Sequence, residues 1–225
     1  MLKYRIPITI LETRKSRLIP DYSFNPDLGS TGRYINKATG RAVSANTIAN
    51  QTNRVIEGVR QEMIDISRQL QRGEITSQQW YWMVRDKVRV AHSLSAIVVS
   101  GGFDAMTAAK WGKVGGLTKF HYNKLNNLAK EINEGLPLNG HFLQRTGMYA
   151  EAARSTGEEV KRAKSESNGS TEEARILGQA DHCTTRKGVL GCVELAAKGY
   201  QPINTLPRIG QTPCLTRCKC HFVYR

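Results

Sequence analysis

The chain has 225 residues, room for one or two domains, and a hydrophobic content of 40% is enough for a folded core. Lys and Arg number 33 against 19 Asp and Glu, giving a formal net charge of +14 and a pI near 9.8. Met1–Leu11 contains no signal-peptide core, and the longest apolar run, Leu94–Phe103, falls short of the about 20 residues that span a bilayer. These features argue against a secreted or membrane-spanning protein and for one made and kept in the cytosol. The basic charge favours polyanionic partners, nucleic acid first. A solvated basic surface, or one facing an acidic protein, has the same composition, and no Arg/Lys run is long enough to be a dedicated arm.

Residues 1–43 read as an extended arm. Pro7, Pro20 and Pro26 forbid a long helix. Lys3–Leu11 has the mixed apolar and β-branched pattern of an edge strand. Asn25-Pro26, Gly29-Ser30, Thr31-Gly32 and Ala38-Thr39-Gly40 are turn signals. Such an arm is expected to lack a core of its own and to clasp another chain.

Residues 44–164 read as a helical body. Ser44 caps a first helix to Gln71, in which Ile48, Thr52, Val55, Val59, Met63, Ile66 and Leu70 form one apolar stripe, with Gly73 at the C-terminal cap. Thr76 and Gln79 form a capping box for a second helix to about Ser100. Trp80, Val84, Val88, Ala91, Ser95 and Val98 share a face of it, and Gly101-Gly102 ends it. The short connection makes the two an antiparallel pair. Asp104 is expected to cap a third helical region over Ala105–Glu134, broken near Gly115-Gly116, with Leu117, His121, Leu125, Leu128 and Ile132 on its stripe. A fourth helix is expected over Asn139–Lys164, with Leu143, Met148, Ala150, Ala153 and Val160 on a weaker face. Trp80, Trp82 and Trp111 read as packing anchors, and His92 and His121 as core or interface residues.

Residues 165–173 read as a linker. Ser170 and Glu173 repeat the capping-box pattern, so Thr171–Leu177 is expected to begin helical. Residues 174–225 form a Cys-rich module, which makes the fold class mainly α with a small Cys-rich α+β tail. The module holds all five cysteines, Cys183, Cys192, Cys214, Cys218 and Cys220, with His182 and His221 beside the outer two. A stretch this small, broken by Gly188–Gly191 and Gly199–Pro213, builds little core unaided and needs packing or a staple. Cys183-x8-Cys192 and Cys214-x3-Cys218-x-Cys220 offer more than the four thiolates of a structural zinc site. The x8 gap is wider than a zinc knuckle's, and a Cys-x-Cys pair seldom gives both sulfurs to one ion, so Cys218 or Cys220 is spare. Disulfides and free buried thiols are the other readings, disulfides being rare in the cytosol.

Catalytic patterns fail on geometry. Asp181-His182 lacks the following helix of zinc-finger-like nucleases. Pro213-Cys214-x3-Cys218 has one residue too many for a deaminase, and no His-x-Glu precedes it. Gly112–Lys119 has no Gly-Lys-Ser/Thr ending. No catalytic or cofactor-binding residue is nominated, and the protein is not expected to be an enzyme.

Taken together, several segments resemble the small minor head proteins of tailed phages, grouped with phage head morphogenesis proteins. They are Gly32-Arg33-Tyr34-Ile35, Thr39–Ser44, Gly73–Thr76, Trp80, His92, Gly101-Gly102, Met106-Thr107, Trp111-Gly112, Asp181-His182-Cys183, Cys192 and Leu195–Gly199. The ending Cys214-Leu215-Thr216-Arg217-Cys218-Lys219-Cys220-His221 is the most specific of them. The resemblance covers nearly the whole chain, with a wider first cysteine spacing than the family's. It implies a virion protein made in the host cytoplasm, present in several copies, associating with itself and with portal, capsid or neck proteins. It implies no established catalytic activity.

Overall fold

Two capped helices carry the body. In the computed structural model, which describes residues 22–25, 33–178 and 182–225, α1 spans Ala45–Gln71, and the Ser44 side chain accepts a hydrogen bond from the Thr47 amide. α2 spans Ser77–Ser100 and opens on a reciprocal box: the Thr76 hydroxyl accepts from the Gln79 amide, and the Gln79 side chain accepts from the Thr76 amide at 2.8 Å. The Trp80 indole N–H donates to Ser67 Oγ at 2.9 Å, and Lys87 pairs with Glu62 at 2.6 Å. As one helix advances the other retreats, so the two are antiparallel. The apolar stripes read from the sequence are the faces they bury against each other.

Three further helices complete the body: α3 Ala108–Asn133, α4 Gly140–Glu151 and α5 Ala153–Ser167. One core cluster joins Met63, Leu70, Trp80, Val84, Leu125, Leu128 and Phe142. A second, towards the C-terminal end of α2, joins Ile48, Val55, Leu94, Ile97–Val99, Val114 and Val160. Three expectations are corrected here. Thr107, not Asp104, caps α3. α3 also runs unbroken through Gly112, Gly115 and Gly116, because its other side buries Val114, Thr118, Leu125 and Leu128, and packing on one face outweighs weak propensity on the other. The fourth predicted helix is two, divided at Ala152. Of the three tryptophans, Trp80 is fully buried, but Trp82 is 54% exposed and is no core anchor.

The arm is corrected in its described part. β1 Tyr22–Asn25, β2 Arg33–Asn36 and β3 Ala42–Val43 make an antiparallel sheet in the order β1-β2-β3. Tyr22 is buried in the second cluster, and the Tyr34 hydroxyl donates to Val99 O at 2.5 Å. Lys164 of α5 donates to the Tyr34 hydroxyl at 2.8 Å, with its ammonium 3.4 Å from the Phe24 ring centroid. Gly101 allows the approach: a Cβ there would stand 2.6 Å from the Phe24 amide, and its φ of 91° suits glycine. The aromatic side chains of the hairpin therefore find their core within the same chain. The edge strand expected at Lys3–Leu11 lies outside the described residues.

A second sheet, in the tail, has the order β5-β4-β6: β4 Glu172–Ile176 in the middle, β5 Gln201–Pro202 and β6 His221–Tyr224. Thr171–Leu177 is thus strand, not helix. Its backbone pairs with β5 and β6, and the Thr171 and Glu172 amides donate to Arg225 O. Between the strands lie α6 Cys192–Ala197 and a 3₁₀ turn at Leu215–Arg217. Among the described residues, no helix is long and apolar enough to cross a membrane.

His92 is fully buried, with Nδ1 2.5 Å from Thr156 Oγ1 and its ring 5.0 Å from that of His121. Burial, aided by His121, pushes the His92 pKa down to about 3; burial, aided by Lys124, pushes that of His121 down to about 4. Both fold as neutral imidazoles, while in the unfolded chain they take up protons near pH 6.5. The stability they allow is full above that pH and is lost as pH falls towards the folded values, at about 1.4 kcal/mol per pH unit for each histidine. Urea unfolding between about pH 7 and 5 should show this decline, and His92→Gln should flatten it; an unchanged slope in the variant would refute the assignment.

Candidate metal centre

β4 and β6 place the cysteines. Ile176 registers with His221 and Glu173 with Tyr224, so the pairing carries Cys218 and Cys220, just before β6, beside the end of β4. Cys192 is the first residue of α6. Gly191, before it, packs so closely on the backbone of Cys183 and Thr184 that a Cβ would stand 2.3 Å from either. Only glycine permits that approach. It folds the x8 segment back through a turn at Arg186–Val189, and the Cys192 amide donates to Cys183 Sγ at 3.3 Å. A spacing wide in sequence is thereby short in space.

All five predicted site residues converge. Sγ–Sγ separations are 3.2 Å for Cys183–Cys214, 3.5 Å for Cys192–Cys214 and 3.6 Å for Cys192–Cys218. The thiols form two overlapping triples, Cys183–Cys192–Cys214 and Cys192–Cys218–Cys220, each with its sulfurs within 4.8 Å of one another. The separations far exceed a disulfide's about 2.05 Å, and the cysteines are free. They approach the about 3.8 Å edge of a tetrahedron with metal–sulfur bonds near 2.3 Å, so the cluster can hold a metal ion. Cys192 belongs to both triples. Cys220 is buried and completes the second triple, with Sγ 4.0 Å from His182 Nδ1, and His221 is exposed on β6.

The cluster polarises its own thiols. A hydrogen bond from Cys220 holds the Cys218 pKa down to about 4 against the opposing effect of burial, and the same bond pushes Cys220 up. Burial raises Cys192 and Cys214. At Cys183 burial opposes ionisation, but the Cys192 amide and the neighbouring thiols outweigh it, and its pKa lies below the ordinary value. The Thr212 hydroxyl touches both Cys192 and Cys214 sulfurs, at 3.3 and 3.1 Å.

Sequence reasoning missed the residues behind the sulfurs. Arg175, 1% exposed, places Nη1 3.8 Å from both Cys192 and Cys218 Sγ and donates from Nη2 to Pro207 O. Among the described residues it has no carboxylate partner. Two positions earlier, Glu173 accepts from Arg162 Nε at 2.7 Å and Nη2 at 3.1 Å, and from the Leu206 amide at 3.2 Å. Arg162 also pairs with Glu159 at 2.8 Å. Both guanidinium carbons lie near the Phe222 ring, at 4.4 and 5.1 Å from its centroid. The signal was the i, i+2 repeat of Glu173 and Arg175, which puts both on one face of a strand. The capping-box pattern of Ser170 and Glu173 hid it.

Comparison with protein-family models, with curated proteins and with solved structures finds no match to this chain.

The Arg162–Glu173 pair is buried at both ends, and breaking one side leaves the other uncompensated. Glu173→Leu and Arg162→Met should each cost about 3–5 kcal/mol in urea unfolding, and the double variant clearly less than their sum. Additive losses would mean that the two side chains act independently.

Proposed function

We propose that this chain is a structural protein of a tailed-phage virion, sited in the head or neck region and packing against its own copies and against portal, capsid or neck subunits. The resemblance of its cysteine-containing segments, above all Cys214–His221, to phage minor head proteins supports this reading. The observation that carries it is the apolar surface of the tail. Val189, Leu190, Val193, Tyr200 and Leu215 are all exposed there, on a module whose own apolar core is a single small cluster built around Leu195, Leu206, Ile209, Phe222 and cysteines. Outward apolar side chains on a held frame suit a surface that another subunit covers. The role is structural, with no turnover. Mass spectrometry of purified particles should find the chain at a fixed copy number; its absence from particles that assemble normally would refute the proposal.

The cation of the tail is proposed to be zinc, held by thiolates of the two triples Cys183–Cys192–Cys214 and Cys192–Cys218–Cys220, which share Cys192. Arg175 favours a metal over disulfides or neutral thiols. Four thiolates on one divalent ion carry a net charge of −2, the counter-charge a buried guanidinium without a carboxylate needs. Such a site contributes on the order of 10–16 kcal/mol in apparent terms, ample to order so small a module. Protein purified under reducing conditions should contain about one zinc per chain. Cys183→Ser, Cys192→Ser and Cys214→Ser should each lose the metal and loosen the tail while the helical signal persists. Absence of metal in the parent protein refutes the site.

A second reading, a basic zinc-dependent protein that binds or processes nucleic acid during packaging, draws on the net charge of +14.

A further inference from the structure

We infer that the outer face of α3 is a docking surface for duplex nucleic acid. From Ala105 to Lys130 the chain carries Lys110, Lys113, Lys119, Lys124 and Lys130 and no carboxylate. α3 turns its buried side, Val114, Thr118, Leu125 and Leu128, to the body. The opposite side is exposed and has a neutral floor of Gly112, Gly116, Asn123 and Asn127, with the exposed Phe120 ring between that floor and Lys113 and Lys124. At about 100° per residue, Lys119 and Lys130 run along one edge of that floor and Lys113 and Lys124 along the other. Each pair is eleven residues apart, roughly 16 Å along the axis.

At Lys113, Gly116 and Phe120 the face borders a cleft walled by Glu151, Glu159 and Arg208, and beyond that cleft it is open to solvent. Lys119, Lys124 and Lys130 are exposed and, among the described residues, make no ion pair, the Lys124 ammonium lying 5.6 Å from the Phe120 ring centroid. A Cβ built at Gly112 or Gly116 meets nothing within 4 Å, so internal packing does not require these weak helix formers. At these two glycines something from outside can approach the helix axis. Exposed lysines on the two sides of the face, Lys119 and Lys130 on one and Lys124 on the other, suit a major groove about 12 Å wide, which admits an α-helix with phosphates on both banks. Asn123 and Asn127 then face the base edges, where an amide donates and accepts. A second copy of the same face would bring lysine against lysine. The inference gives the nucleic-acid reading its surface and depends on neither the metal nor virion membership.

The test titrates the full-length protein against a mixed-sequence DNA duplex of about 30 base pairs, by fluorescence anisotropy over about 50–200 mM NaCl. The parent protein should bind with affinity falling steeply as salt rises. Lys119→Gln/Lys124→Gln/Lys130→Gln should lower the log–log salt slope by about 2.7 and weaken binding about tenfold or more. Arg33→Gln/Lys37→Gln/Arg41→Gln removes the same charge from exposed residues in and beside β2 and β3 and should leave the slope nearly unchanged. Circular dichroism checks that both variants keep the helical fold. Equal losses in the two variants overturn the α3 surface but leave nucleic-acid binding standing. No binding by the parent at the lowest salt overturns both, and binding to an acidic polypeptide alone assigns the face to an acidic protein instead.

Discussion

The buried contact between Arg162 on α5 and Glu173 on β4 is the constraint on which the rest of the tail depends. It joins the last helix of the body to the middle strand of the tail sheet, with both side chains out of water. Arg162 also donates to Leu206 O, and Glu173 accepts from the Leu206 amide, so the loop that leads towards Cys214 is fixed by the same pair. Glu158 adds a further tie by accepting from the Phe222 amide at 3.1 Å. Buried charges of this kind contribute less net stability than apolar packing of equal volume, but tolerate few alternative arrangements. Here they set the position of a module too small to set its own.

That position decides the chemistry available to the cysteines. Three separate segments deliver them: the loop before Arg186, the start of α6, and the turn before β6. Each is held by something other than the thiols: the close approach at Gly191, the burial of Leu195, and the β4–β6 ladder. The sulfurs therefore meet with a geometry prepared for a cation, and Arg175 supplies positive charge behind them. A metal bound there would lock a frame already outlined by backbone contacts.

The helical body is organised differently. α1 and α2 bury continuous apolar stripes and need no staple, while α3 packs with one side only. The N-terminal hairpin closes the far end of the α1–α2 pair through Tyr22, Tyr34 and the ammonium of Lys164 set against Phe24. Buried polar side chains bond within the body at specific points, Trp80 to Ser67 and His92 Nδ1 to Thr156, which fixes helix register as well as burial.

The sequence by itself determined the helices and their faces, because a 3.6-residue repeat and a capping box are local: Ser44, Thr76 and the stripe from Ile48 to Leu70 act through neighbours a few residues away. It also marked the five cysteines as the candidate site by composition alone. The tertiary structure decided everything that depends on partners far along the chain. Ser170 and Glu173 have the residue types of a helix start, but the ladder with β6, some fifty residues on, satisfies the same backbone as a strand and turns Glu173 and Arg175 inward. Gly115 and Gly116 look like a break until packing on the opposite face of α3 holds the helix through them. Residues 22–43 look like an arm until Tyr22 and Tyr34 find α2, more than sixty residues away. The x8 gap becomes a contact only because the chain folds back at Gly191. Local patterns fix local hydrogen bonding and the direction of burial, whereas the competition between helix and strand, and the meeting of distant thiols, is settled by contacts that exist only once the chain has folded.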